Sequence, residues 1–273
     1  MSENGECKVD LDYLVYAPVP RKGYSVRAKT SGVIEDAFFN AHKDILCPYD
    51  ELLFSDMLIE ARVISKPQAS SLVYFSRIYK RQRLDELGRD GIVSTIVAMP
   101  VSLLSQGLAF KDVERALINF EKANPKVPLG DVQRLQVSWE ASRQDPDTAN
   151  MQMMVSEASA NRLVSILSEG REARAFVLYK AGYKDRNELC IALAKFLNLA
   201  GNQFFLVTSN CPMETFLSYY GNVVISDFLP KLKVNSGWKI VNLGNAGMDG
   251  AGTAKNLASA LKNVYGKANN EGS

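Results

Sequence analysis

The sequence predicts an α+β N-terminal half followed by an α/β C-terminal half. Two changes of rhythm carry that reading. Up to residue 124 the apolar runs come mostly as strand-like pairs joined by turns, with one long amphipathic helix at the end. From residue 175 onward short apolar strands alternate with helical stretches, the pattern of βαβ units in a mainly parallel sheet. Between them, residues 125–150 hold Pro125, Pro128, Gly130 and the polar run Ser142–Asn150, which reads as a linker. The expected organisation is therefore a sheet domain over 1–124, a linker over 125–150 and an α/β domain over 151–273.

In the first half, Leu11–Ala17 and Tyr24–Ala28 read as a hairpin about the turn Pro18–Gly23. Ile34–Ala41 suits a short helix with Ser31 as its N-cap, and Ile59–Lys66 suits a strand closed by Pro67. Leu72–Phe75 and Ile92–Met99 are apolar strands, the second stopped by Pro100. Phe110–Ala123 is a helix, because Phe110, Val113, Ala116, Leu117 and Phe120 form one stripe at helical spacing. Asn124-Pro125 ends it.

In the second half, Met151–Ser168 reads as a helix with a soft, methionine-rich start. Trp139, ahead of it, suits a core anchor. Strands follow at Ala175–Tyr179, Phe204–Thr208, Asn222–Ser226 and Trp238–Leu243. Helices are expected at Arg186–Ala200 (capped by Asp185), Met213–Tyr220 and Thr253–Tyr265.

The totals exclude several function classes. With 273 residues, 32 basic and 30 acidic, the formal charge is +2, which gives no broad basic footprint for nucleic acid. Cys7, Cys47, Cys190 and Cys211 show no C-x-x-C spacing, so neither a zinc site nor a redox dithiol is indicated. With His42 the only histidine and nothing in the sequence placing it beside a nucleophile, neither a Ser-His-Asp triad nor a multi-histidine metal site is expected. Cys211 sits between a strand and a helix, but no base is placed near it. No catalytic residue, metal centre or cofactor is expected. No apolar run reaches the roughly 18 residues of a membrane span, and the polar start is unlike a signal peptide, so the expectation is a cytoplasmic protein.

Four stretches can carry binding. The connection from Arg77 to Asp90 holds five basic residues, Arg77, Lys80, Arg81, Arg83 and Arg89, with the acids Asp85, Glu86 and Asp90, and it reads as a charged hairpin tip suited to a protein partner. The acidic stretch Asp44–Glu60, with no Lys or Arg, is a complement of opposite sign. The loop Gly244–Thr253, with Gly247, Gly250, Gly252 and Thr253 between a strand and a helix, has the place and glycine content of an anion or nucleotide loop, although the P-loop and G-x-G-x-x-G patterns are both absent. Finally, Tyr74, Phe75 and Tyr79 interleave with the basic residues up to Arg83, as in edges that stack bases and hold phosphates.

Three fragments carry a family likeness. Gly23-Tyr24-Ser25-Val26-Arg27-Ala28-Lys29-Thr30-Ser31-Gly32 resembles the opening of the N-terminal region of bacterial GTPase-associated proteins. Leu87-Gly88-Arg89-Asp90-Gly91 is similar to that region's G-R-x-G turn, and Phe228-Leu229-Pro230-Lys231-Leu232 to its Leu-Pro step. The resemblance implies a longin-like sheet in the first half. It also implies a non-enzymatic adaptor or regulator associated with a small Ras-like GTPase, and it transfers no catalytic motif. An arginine finger from Arg77 or Arg89 would be the one chemical contribution of such a surface. The alternative is a nucleotide- or nucleic-acid-binding protein using the glycine loop or the basic-aromatic edge.

Overall fold

The computed structural model describes residues 5–19, 22–30, 40, 59–65, 72–81, 91–140, 154–169, 174–181, 183–199, 206–209, 223–226, 237–244, 254–257 and 259–260. The chain divides into two compact units, Met1–Arg62 with Gln68–Asp145, and Val63–Pro67 with Pro146–Ser273. The content is mixed α/β, as the sequence predicts.

The first unit is organised by its longest strand. β1 (Glu6–Val19) begins earlier than its apolar run and turns at Lys22, whose N–H donates to Val19 O at 3.0 Å, into β2 (Gly23–Lys29). Gly23 takes φ +71°, a left-handed conformation that favours glycine at this turn. β3 (Ile59–Ser65) lies at the division between the units in sequence. β4 (Leu72–Arg81) and β5 (Gly91–Pro100) pair antiparallel along ten residues, from Leu72↔Pro100 to Arg81↔Gly91. β5 is buried from Gly91 to Met99, the small polar Ser94 and Thr95 included, which explains why its apolar residues do not alternate as on a strand with one wet face.

Two helices follow, α1 (Val101–Ser105) and α2 (Phe110–Ala123). On α2 the stripe behaves as its spacing predicts: Phe110, Val113 and Leu117 are fully buried. Phe110 stacks on Phe75 of β4 at 6.2 Å, and Phe120 meets Tyr13 of β1 edge-on at 5.3 Å. These contacts seat the helix on the sheet.

The expected linker contains structure. β6 (Gly130–Asp131) pairs in parallel with β2, and β7 (Leu135–Glu140) pairs antiparallel with β1 from Leu11↔Leu135 to Glu6↔Glu140. β7 alternates buried and exposed residues, with Trp139 buried and its Nε1–H donating to Gln106 O at 3.4 Å. The first unit thus extends past residue 124, because β7 satisfies the backbone of the N-terminal half of β1. Among the described residues, six strands of this unit run β4-β5-β1-β2-β6, with β7 also on β1, and the β2–β6 pair makes the sheet mixed.

The second unit opens with β8 (Met154–Ser156) and α3 (Glu157–Leu167) in place of one long helix. Ser156 Oγ accepts the N–H of Ser159 at 3.2 Å, an N-cap that fixes where the helix starts. β9 (Ala175–Leu178) leads into α4 (Tyr183–Leu199), followed by β10 (Leu206–Ser209), β11 (Val223–Ser226) and β12 (Lys239–Asn242). These four strands are parallel in the order β12-β9-β11-β10. β13 (Ala254–Asn256) pairs antiparallel with β8, so a strand stands where the sequence suggests the start of a helix. The ladder to β8 supplies its backbone partners, which overrides local helical propensity. The expected helices at Ile34–Ala41 and Met213–Tyr220 lie outside the described residues, apart from Asn40.

Candidate functional site

β4 places alternate residues on one face, so Phe75, Arg77, Tyr79 and Arg81 share a side of the strand. That side meets α2. The Arg77 guanidinium pairs with Glu121, the two side chains being 5% and 14% exposed. It also lies 5.2 Å over the Tyr79 ring. Arg81 donates through Nη2 to Asn124 O at 3.4 Å and to Pro125 O, satisfying carbonyls at the helix C-terminus. Burial pushes the Glu121 carboxyl above the ordinary carboxylate value, and the neighbouring Arg77 charge opposes the shift. Burial first, and then the Glu121 charge, push the Tyr79 phenol up to about 12.

These facts reassign part of the expected interaction surface. Arg77 lies within the strand rather than in its connection and is spent on Glu121, so it is no finger for a nucleotide. Arg81 ends the strand and caps α2. Lys80 stands in β4 opposite Ile92. Arg83, Arg89 and Asp90 lie outside the described residues, as do Gly247, Gly250, Gly252 and Thr253. The basic-aromatic edge offers bases little to stack on: Tyr74 and Phe75 have no exposed surface, because both faces of β4 are covered there.

A second arrangement, missed by sequence reasoning, lies where α2 crosses β7. A groove of about 460 Å³ opens between them, with Phe120, Leu135 and Ala116 as apolar lining and Asn119, Asn124 and Gln136 as polar lining. Arg115 and Arg134 line it from the helix and from the residue before β7. Arg134 Nε donates to Asp12 Oδ1 at 3.0 Å, and Arg115 Nη1 stands 3.6 Å from Asp112 Oδ1, an ion pair longer than a hydrogen bond. Asp112 is fixed in turn, since its Oδ2 accepts the Ala109 N–H at 3.1 Å at the start of α2. The Asp112–Arg115 spacing is a legible i,i+3 pair. Asp12 is a lone charge inside the apolar run Leu11–Ala17, which signals a buried partner but does not say that it is Arg134.

In the second unit, β12 ends at Asn242, whose Oδ1 accepts the Gly244 N–H at 3.0 Å as the chain turns toward the glycine loop. Cys190 is buried on α4 and Cys7 is half-buried on β1, while His42, Cys47 and Cys211 lie outside the described residues. Among the described residues no group of three or more His, Cys, Asp or Glu could hold a metal ion, and no helix is long and apolar enough to cross a membrane. Comparison with protein-family models, with curated proteins and with solved structures finds no match to the chain.

Proposed function

We propose that this chain is a non-enzymatic interaction module with a longin-like first half, and that it associates with a small Ras-like GTPase through the charged connection between β4 and β5. The observation that carries the reading is the hairpin ladder. Pairing persists to Arg81↔Gly91, so residues 82–90, with Arg83, Arg89 and Asp90, start and finish on two adjacent, fully paired strand ends. Arg81 and Gly91, which bound that charged stretch in sequence, are already paired, so the strand ends themselves need no ordering when a partner binds. The antiparallel run β4-β5-β1-β2 with α2 laid against it supports the longin-like part of the reading.

The test is a pull-down from host lysate with the tagged chain, in GDP and in a non-hydrolysable GTP analogue. Enrichment of a Ras-like GTPase in one nucleotide state, lost in the R83E/R89E variant, supports the proposal. A catch that ignores nucleotide and survives the charge reversal refutes it.

One observation favours a second reading, nucleotide binding at Gly244–Thr253. That loop follows the carboxyl end of β12, a strand of the parallel sheet, and open α/β sheets bind ligands outside the carboxyl ends of their strands. A melting-temperature rise with GTP or ATP that vanishes when Gly250 and Gly252 are replaced by alanine would favour it.

A further inference from the structure

We infer that the groove between α2 and β7 is a binding site for a small organic phosphate, gripped by the guanidiniums of Arg115 and Arg134. The inference stands apart from the GTPase reading, because it uses neither the β4–β5 connection nor the glycine loop. Long arginine side chains on a surface usually sample many rotamers. Here Arg134 is tethered from behind by its hydrogen bond to Asp12, and Arg115 is drawn toward Asp112 by an ion pair, while the outer faces of both stay open: the side chains of Arg115 and Arg134 are 59% and 54% exposed, whereas those of Asp112 and Asp12 are 0% and 8%. A buried carboxylate uses one side of a planar guanidinium fork and leaves other N–H donors for a second anion. The carboxylates thus orient the arginines at the groove and reduce the entropy lost when a ligand is gripped.

The charge balance of the lining agrees with an anion. Each guanidinium has a carboxylate behind it, Asp112 for Arg115 and Asp12 for Arg134, and both carboxylates are buried while both arginines are exposed, so the face turned to the groove is the cationic one. Two guanidinium forks hold more N–H donors than these two carboxylates take up, and a phosphate monoester offers three acceptor oxygens with about two negative charges. The remainder of the lining suits an organic body rather than a free ion. Phe120 and Leu135 provide apolar contact, and the amides of Asn119 and Gln136 can pair with polar substituents. The volume of about 460 Å³ lies in the range of small-molecule sites.

The test is calorimetric titration of the full chain at fixed ionic strength with phenyl phosphate, benzoate and phenol, each variant's fold being checked by its melting temperature. The expected result is saturable binding of phenyl phosphate at one site, much weaker binding of benzoate and none of phenol. R115Q and R134Q should each weaken phenyl phosphate about tenfold or more, as befits the loss of a charged hydrogen-bond partner. K122Q removes an exposed charge from the same helix outside the groove and should change nothing. Because R134Q also strips Asp12 of its partner, R134K serves beside it: it keeps the charge, loses the fork and should still bind more weakly. The inference is overturned if phenyl phosphate gives no saturable heat, if benzoate binds as tightly, or if K122Q loses as much affinity as R115Q.

Discussion

Arg77 of β4 reaches Glu121 of α2 inside the first unit, and the two form an ion pair with almost no solvent around it. Such a pair recovers its own desolvation poorly, but removing one partner leaves a buried charge uncompensated. Arg77→Met should therefore lower stability by about 3–5 kcal/mol. The double variant Arg77→Met with Glu121→Leu should recover most of that loss, because it buries apolar groups where charges stood. Urea unfolding of the single and double variants measures both. A double variant as unstable as the single one would mean that the geometry of the pair, rather than its charge, holds α2 in place.

The same pair sets a pH dependence. Burial raises the folded-state value of Glu121 above the ordinary 4.5 in spite of Arg77. A raised value means that the folded protein holds the proton more tightly than the unfolded chain. The Glu121 contribution is therefore fully present below about pH 4.5 and is lost as pH rises through the raised value. Glu121→Gln lacks this proton. The stability of the wild type minus that of Glu121→Gln should fall as pH increases across that window, as read from denaturant midpoints. A difference that grows with pH would show that Arg77 outweighs burial.

Tyr79 extends the argument to alkaline pH. Its phenol is pushed up to about 12 by burial and by Glu121. The stability it contributes is present below its ordinary value of 10.0 and disappears as pH climbs through about 12. Ultraviolet difference titration of wild type against Tyr79→Phe should show the missing phenolate appearing near 12. Appearance at 10.0, the ordinary phenol value, would contradict the burial of that ring beside Glu121.

What the sequence disclosed follows from how local each signal is. The stripe on Phe110–Ala123, the stop at Pro100 and the four short strands from Ala175 onward depend on neighbours in the chain, and each has its counterpart in α2, β5, β9, β10, β11 and β12. β7 was hidden because prolines and a glycine precede it, although Leu135, Val137 and Trp139 alternate in strand fashion with Gln136, Ser138 and Glu140. The burial of the charged stretch after Phe75 is hidden for a related reason. Strand periodicity carries Arg77 and Arg81 onto the side of Phe75, but a charged residue reads as exposed until its partner, Glu121 or the end of α2, is known. The groove depends on Asp12 meeting Arg134 across 122 positions, a relation no local pattern contains.

The start of α3 offers a check on the second unit. Ser156 Oγ accepts the Ser159 N–H at 3.2 Å, and Ser159 Oγ donates in turn to Asn242 O at 2.8 Å at the end of β12. Ser156→Ala removes the side-chain acceptor of a helix N-terminal N–H, so it should destabilise by about 0.5–2 kcal/mol. Ser156→Asp keeps an acceptor, adds a negative charge at the positive end of the helix dipole and should restore the loss. Ser159→Ala tests the other link, since it keeps the backbone N–H that the cap accepts while freeing Asn242 O and the Ser156 hydroxyl, which donates to Ser159 Oγ at 2.9 Å. If the cap fixes the boundary between β8 and α3, Ser156→Ala should cost more than Ser159→Ala in denaturant unfolding. The reverse order would assign that boundary to the tie with β12, and the helix would then owe its starting point to tertiary contact rather than to its own first turn.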